Sequence, residues 1–462
     1  MRRAGRTGLC VAVAAVMLWV QAGAAFALNL IRDSEIEALI ADYATPIFRV
    51  AGLGSHNIHI HIISDQSFNA FVIDGQNMFI HTGAILKSDT PNQLIGVIAH
   101  ETGHISGTHV VQRYRQAARM QSAALILNIL SIGAMVGGAV AGNSEVSQGG
   151  AAGLYAGSSV LQRSMLSYAR GQESAADRAG VSFLTQTKQS AVGMLETFRS
   201  LADQSLGTLQ FVDPYSQTHP LPQSRIADLR TLAEGSPYFG VKDPPELQFR
   251  HNMVKAKLLA FTNRTNPQLI FRTYPEKDQS LPARYARAIA RYFTGGMKAA
   301  GGDLDQLIAD QPNNPYFYEL KGQFLLESGV TQAAIEPLRK AVALAPDAGL
   351  MRVMLAQALV ATGDASLLRD ALQHLQKALV KEKQSVIGYR QLAIVYDRLN
   401  RKPEAELASA RSLFYEGNAD YAKVHAERAI RAFPDGSPNW MAANDIISDV
   451  AIYKKMRAEQ GE

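Results

Sequence analysis

Cysteine is nearly absent: Cys10 is the only one among 462 residues, and it lies in a leader-like N-terminal segment. Its neighbours do not place it just after the apolar run, where a lipid-modified cysteine would sit. A chain that loses this segment has no thiol, which excludes a cysteine nucleophile, a disulfide framework and a thiolate-bound metal. A strong charge of one sign is also missing. The 46 basic and 41 acidic side chains give +5, and without Arg2, Arg3 and Arg6 the balance is 43 against 41. That field is too weak to argue for a nucleic-acid partner, and none is expected. With 47% apolar and 19% charged residues, the chain is neither disordered nor collagen-like, and its length calls for two or three domains.

The first 27 residues read as an export signal. Arg2, Arg3 and Arg6 supply a basic start, Leu9–Val20 an apolar run, and Ala25-Phe26-Ala27 a small-x-small cleavage site. Cleavage after Ala27 would start the mature chain at Leu28. The competing reading is an uncleaved anchor, but the run is short for a span of roughly 20 residues.

Residues 31–53 pattern as an amphipathic helix and Ile58–Ile63 as a strand. Phe71–Ile73, a turn at Asp74-Gly75 and Met78–Ile80 read as a hairpin. Leu94, Val97, Ile98 and Glu101 recur at helical spacing within a helix predicted over Asn92–Arg119. Ala123–Ala141 carries no charge and precedes a Gly- and Ser-rich stretch, Gly142–Ser159. It reads as a flap near the site, with a membrane-dipping element, and so peripheral membrane contact, as the alternative. A second long helix is expected over Val160–Gln186.

The C-terminal half repeats with a period of 34 residues. Ala288, Gly322 and Ala356 fall in register, as do Gly295, Gly329 and Gly363, Ala300 with Ala334, and Pro312 with Pro346. Small residues where paired helices touch, glycine after the first helix and proline after the second make a tetratricopeptide-like signature. After Gly363 the register slips by three residues, to Ala371 and Ala378. Tyr389, Leu392, Ala393 and Tyr396 open another pair, Ala429 and Pro434 end one, and Trp440–Met456 reads as a capping helix. Such stacks bind extended or helical peptides, so a protein partner is implied.

The sharpest motif is His100-Glu101-Thr102-Gly103-His104. Histidines four apart share a helix face and can reach one zinc ion, with Glu101 beside it to accept a proton from water. A catalytic zinc needs a third protein ligand and an open position. Glu173 is the candidate, because Asp177 lies one turn further on the same face and can receive the second N–H of a ligating histidine. His219, followed by Pro220, would stabilise an oxyanion or occupy the open position. Arg225 would orient that loop through a carboxylate such as Asp177. His59 and His61 share a strand face but read as exposed, His81 has no role that follows, and His109 lies off the ligand face. The hairpin offers an edge that could hold an extended substrate.

The ordered set of H-E-x-x-H, E-x-x-A-D and H-P-x-x-x-x-R resembles the zinc metallopeptidases related to the CAAX prenyl protease, over about residues 31–235. With an export signal and a repeat tail, the whole resembles the beta-barrel assembly-enhancing branch found in Gram-negative bacteria. Two departures stand out: the membrane-spanning helices of many relatives are not evident, and Ser174 replaces a charged or bulky residue. The resemblance implies a periplasmic endopeptidase that degrades misassembled outer-membrane proteins and aids their assembly at the barrel-assembly machinery. It implies one zinc per chain on His100, His104 and Glu173, Glu101 as base, and His219 capping the metal at rest. The expected fold is mainly α with a small β-sheet, a zincin-like peptidase domain followed by an α-solenoid. The divisions are signal 1–27, peptidase 28–235, connecting helical segment 236–280 and repeats 281–462.

Two other classes compete with this reading. One is a chaperone or scaffold acting through the repeats with a vestigial metal site. The other is a membrane-embedded prenyl-protein protease, which would need Ala123–Ala141 to span a bilayer.

Overall fold

The computed structural model describes residues 29–54, 58–119, 167–207 and 214–460, apart from the side chains of 205–207, 453 and 456–460. The leader with Cys10, the uncharged run Ala123–Ala141 and the stretch Gly142–Ser159 lie outside the described residues, as does the start of the helix expected from Val160. Among the described residues no helix is long and apolar enough to cross a membrane.

The N-terminal half is built on helix α1 (Ser34–Val50), whose N-terminus is capped by Asp33 accepting from the Glu35 and Ile36 amides. Its buried stripe, Ile36, Leu39, Ile40, Tyr43 and Ile47, packs into the same core as Leu94, Val97 and Ile98. Four strands, β1 (Leu30–Ile31), β2 (His59–Ile63), β3 (Ala70–Ile73) and β4 (Asn77–His81), form a sheet in the order β1-β2-β4-β3. β3 and β4 are the expected hairpin, turning through Asp74 and Gly75 at positive φ, and β3 forms one edge of the sheet. Its outer face stacks Phe71 and His61 on Phe79. His61 is further engaged with Asn77 Oδ1 at 2.8 Å, so this strand histidine has a structural partner. His81 meets Ser67 Oγ at 3.0 Å.

Helices α2 (Thr82–Lys87) and α3 (Pro91–Ser106) follow. The single helix expected over Asn92–Arg119 is two: α3 ends at Ser106, and α4 runs over 109–119 after a turn at 107–108. Thr108 takes φ 52°, which interrupts the helical ladder. Beyond the undescribed segment come α5 (167–186), α6 (Val192–Gly207), α7 (Pro214–Thr218) and α8 (Gln223–Glu234). Gly103 sets how closely α3 and α5 approach. A Cβ there would lie 2.8 Å from the Ala176 carbonyl oxygen and 2.9 Å from Ala176 Cα, backbone atoms that cannot swing aside.

Helix α9 (Pro245–Thr262) joins the halves, because Val254 and Leu258 belong to the core of the N-terminal half while Met253, Ala256 and Ala260 belong to the core of the first repeats. Buried His251 donates through Nε2 to the Ser88 carbonyl at 2.9 Å and accepts from Tyr43 Oη at 3.0 Å. Buried Lys257 pairs with Asp33 at 2.7 Å and Glu35 at 3.3 Å, Tyr285 donates to Glu35, and Ser34 donates to Glu319 at 2.7 Å.

Burial pushes the Glu319 carboxyl up to about 7, against the opposing charge of Lys257. Its value is therefore raised in the folded chain, which binds more protons than the unfolded chain between the ordinary carboxyl range and about 7. Stability held below that window is lost as pH rises through it. Glu319→Gln should remove a loss on the order of 3 kcal/mol. Thermal unfolding of both proteins at pH 5 and pH 8 checks this, and parallel pH dependences would contradict it.

The repeat half runs as antiparallel helix pairs: Pro315–Glu327 with Thr331–Leu344, Gly349–Ala361 with Leu368–Lys381, Val386–Arg398 with Lys402–Tyr415, and Ala419–Ile430 with Pro438–Gln460. Leu281–Asp310 breaks into a further pair at Gly295 and Gly296. Gly329 and Gly363 end first helices in the left-handed region, and Ala288, Ala356, Ala300 and Ala334 are buried where helices meet. The three-residue slip after Gly363 is one turn of 3-10 helix, Ala365–Leu367, capped by Asp364. The fold is thus mainly α with a small β-sheet, followed by an α-solenoid of tetratricopeptide-like repeats.

Candidate metal centre

Because α3 is regular through its last turn, His100, Glu101 and His104 project from its end toward α5. The close contact at Gly103 brings Glu173 and Asp177, one turn apart on α5, against them. The turn between α7 and α8 closes the group, with the His219 amide donating to the Tyr215 carbonyl at 2.7 Å.

All seven residues expected from the sequence meet here and are buried: His100, Glu101, His104, Glu173, Asp177, His219 and Arg225. His100 Nε2 lies 3.1 Å from His104 Nε2 and 3.3 Å from Glu173 Oε2, and His104 Nε2 lies 3.5 Å from Glu173 Oε1. His219 Nδ1 lies 2.9 Å from Glu173 Oε2, and its Nε2 lies 3.6 Å from Glu101 Oε1. One potential ligand atom from each of His100, His104, Glu173 and His219 falls within 4.8 Å of all the others.

These residues fit a metal ion. A tetrahedral ion with metal–nitrogen bonds of about 2.0–2.1 Å has donor–donor edges of about 3.4 Å, close to the 3.1 Å between the two imidazole nitrogens and to the 3.3 and 3.5 Å from each of them to one or the other oxygen of Glu173. Two imidazole nitrogens aimed at each other, with a carboxylate alongside, form an arrangement that a shared cation satisfies. Glu101 Oε1 is also a buried acceptor with no completed hydrogen bond.

The surroundings fix the donors. Asp177 Oδ1 lies 2.9 Å from His100 Nδ1, and the Asp177 carboxylate accepts from Arg225 Nε at 2.6 Å and Nη2 at 2.8 Å. Arg225 also donates to the Pro220 carbonyl at 3.0 Å, which ties the His219 turn to α5. Burial acts to raise Asp177, but Arg225 and His100 outweigh it and bring the carboxyl down to about 2. Burial acts to raise Glu173 too, yet hydrogen bonds with three histidines hold it far below the usual carboxylate range. For His100 burial is overcome by Asp177 and Glu173, leaving it at about 9, whereas burial draws His104 down to about 3. Glu101 is raised chiefly by burial, which suits a base working near neutrality.

Two nearby residues, Arg113 and Tyr215, were not singled out from the sequence, and a third, His109, was given no role. His109 lies off the ligand face, as expected, and places Nδ1 3.0 Å from the nitrogen of His104 that faces away from the donor group, Nδ1. Arg113 pairs with Glu173 Oε1 at 2.8 Å from a half-exposed position. Tyr215 stacks on His219 with ring centroids 4.6 Å apart. Its hydroxyl approaches Glu101, but Tyr215 Oη completes no hydrogen bond of normal geometry.

Residues 16–233 match Peptidase family M48. The chain is 26% identical over 306 residues to the beta-barrel assembly-enhancing protease of Yersinia pestis, covering 65% of this chain and 60% of that one. It is 26% identical over 369 residues to the protein of the same name in Escherichia coli K12, covering 79% and 72%. A putative beta-barrel assembly-enhancing protease of Vibrio cholerae is 25% identical over 264 residues, covering 56% and 52%. The matched segment, residues 16–233, contains all the residues of the buried centre, and the helical-repeat half follows it.

Proposed function

We propose that this protein is a periplasmic zinc endopeptidase, exported with cleavage after Ala27, that degrades misassembled outer-membrane proteins and assists their assembly. The observation that carries the proposal is the buried group of His100, His104, Glu173 and His219 with Glu101 beside it. The names of the relatives support the client class. In this reading residues 28–235 do the chemistry, 236–280 connect, and 281–462 dock the barrel-assembly machinery.

Nitrogen and carboxylate donors without thiolate suit zinc. Held by His100, His104 and Glu173, one zinc ion would supply Lewis acidity and bring the pKa of a water towards about 7. Glu101 accepts the proton of the attacking water and returns it to the leaving amine. Asp177 keeps His100 oriented, and Arg225 holds Asp177 and the loop. The free edge of β3 would align a substrate in extended form through backbone pairing, so exposed backbone would matter more than one side chain.

His219 is a fourth donor, and we read it as the group that caps the metal at rest. With an unfolded outer-membrane β-barrel protein as substrate, the zinc-loaded chain should cleave slowly, a chelator should stop cleavage, and His219→Ala should speed it several-fold. Cleavage that survives chelation would sink the metallopeptidase reading. An unchanged rate in His219→Ala with unchanged zinc occupancy would sink the gate alone.

A further inference from the structure

The imidazole of His109 has no place in the chemistry above, yet it lies against a proposed ligand. In an unbroken helix each residue turns about 100°, so a residue five beyond His104 would point about 140° away from it. The turn at 107–108 removes that separation. Thr108 at φ 52° reverses the chain locally, and the His109 ring folds back over Gly107, where a Cβ would lie 2.3 Å from His109 Nε2. Its Nδ1 ends 3.0 Å from His104 Nδ1, with the rings edge-to-face at 80°. His109 is buried, and Gln172 on α5 donates to its carbonyl at 3.3 Å.

Two facing nitrogens at this distance form a hydrogen bond only if one carries the proton. His104 Nε2 faces His100 and Glu173 and must be bare to bind a metal, so the His104 proton belongs on Nδ1. His109 Nδ1 is then the acceptor, and the His109 proton sits on Nε2. The two histidines of the motif therefore lean on different partners: His100 on the carboxylate of Asp177, His104 on a neutral imidazole.

We propose that His109 is a positioning residue for the metal centre, accepting a hydrogen bond from His104 and so fixing both its tautomer and the plane in which its Nε2 lone pair points. This rests on reading the group as a metal site. Partners of this kind are worth roughly 10- to 100-fold in metal affinity.

The test is a Zn2+ titration of the full chain against a competing chromophoric chelator, with the absorption spectrum of the Co2+ form as a report on ligand geometry. His109→Ala should weaken Zn2+ binding by about 10- to 100-fold and shift the Co2+ bands. In His109→Asn, Oδ1 occupies the place of Nδ1, and affinity should return to within a few-fold of the parent. His109→Gln, whose acceptor reaches the Nε2 position instead, should stay weak. It keeps a polar side chain of similar size, so the Asn and Gln pair decides the matter if the alanine variant does not fold. Parent-like affinity in His109→Ala, or no recovery in His109→Asn relative to His109→Gln, overturns the proposal. A parent chain that takes up no Zn2+ overturns the metal-centre reading itself.

Discussion

Glu101→Gln is expected to lower peptide cleavage by about 10²- to 10⁴-fold while leaving metal content unchanged. The substitution keeps shape and burial and removes only the ability to accept a proton. Glu101 is not among the four residues whose donor atoms converge, so the metal should stay. Its carboxyl is raised by burial among His219, His100 and Glu173, an environment that a neutral amide tolerates, and the variant should fold. The comparison also separates the two classes of function. Retained binding of an unfolded outer-membrane protein alongside lost cleavage would mean an enzyme with an added holding activity. Cleavage and cellular phenotype both unaffected by Glu101→Gln would favour a scaffold with a relic site.

Asp177→Ala should have the largest combined effect on stability and metal binding. Asp177 accepts two hydrogen bonds from buried Arg225 and lies against His100 Nδ1. Its removal leaves a guanidinium deep in the protein with the Pro220 carbonyl and, at 3.1 Å, Glu173 as partners. Breaking a buried pair from one side costs about 3–5 kcal/mol. The orphaned Arg225 is then drawn to Glu173, where it competes for the carboxylate proposed as a ligand. Zn2+ affinity should fall by about 10- to 100-fold through loss of the His100 partner. Denaturant unfolding of the metal-free protein gives the first quantity and chelator competition the second. A variant as stable as the parent would show that Arg225 does not depend on this partner.

Much of this centre was legible because its pairs are local. His100 with His104 and Glu173 with Asp177 are each four apart, and a helix alone puts such residues on one face. The order of the three motifs then supplied the association between helices that spacing cannot give. What spacing could not show was how close α3 and α5 come, which depends on the Gly103 contact with the Ala176 backbone. The contact of His109 with His104 was not legible for a physical reason: the helical period was carried past Gly107-Thr108, and a short turn there changes direction by more than the period predicts. Glycine followed by a β-branched residue, Gly107-Thr108, three and four positions past the end of the motif, was the available signal. The repeat half was readable because one period recurs. The three-residue slip showed in the register, but its cause, a capped 3-10 turn, did not. The Lys257, Glu35 and Glu319 group joins residues hundreds apart in sequence, and nothing local marks it. Tyr215 was hidden in part for the same reason: its stacking on His219, four residues on, is local, but its approach to Glu101 and His100 exists only in the folded chain.

The most direct test of the account is the metal content of the purified mature protein by elemental analysis, for the parent, His100→Ala and Glu173→Ala. About one zinc per chain in the parent, lost in both folded variants, is the expected result for a catalytic site of this type. Zinc absent from a well-folded parent, or retained in both variants, would contradict it.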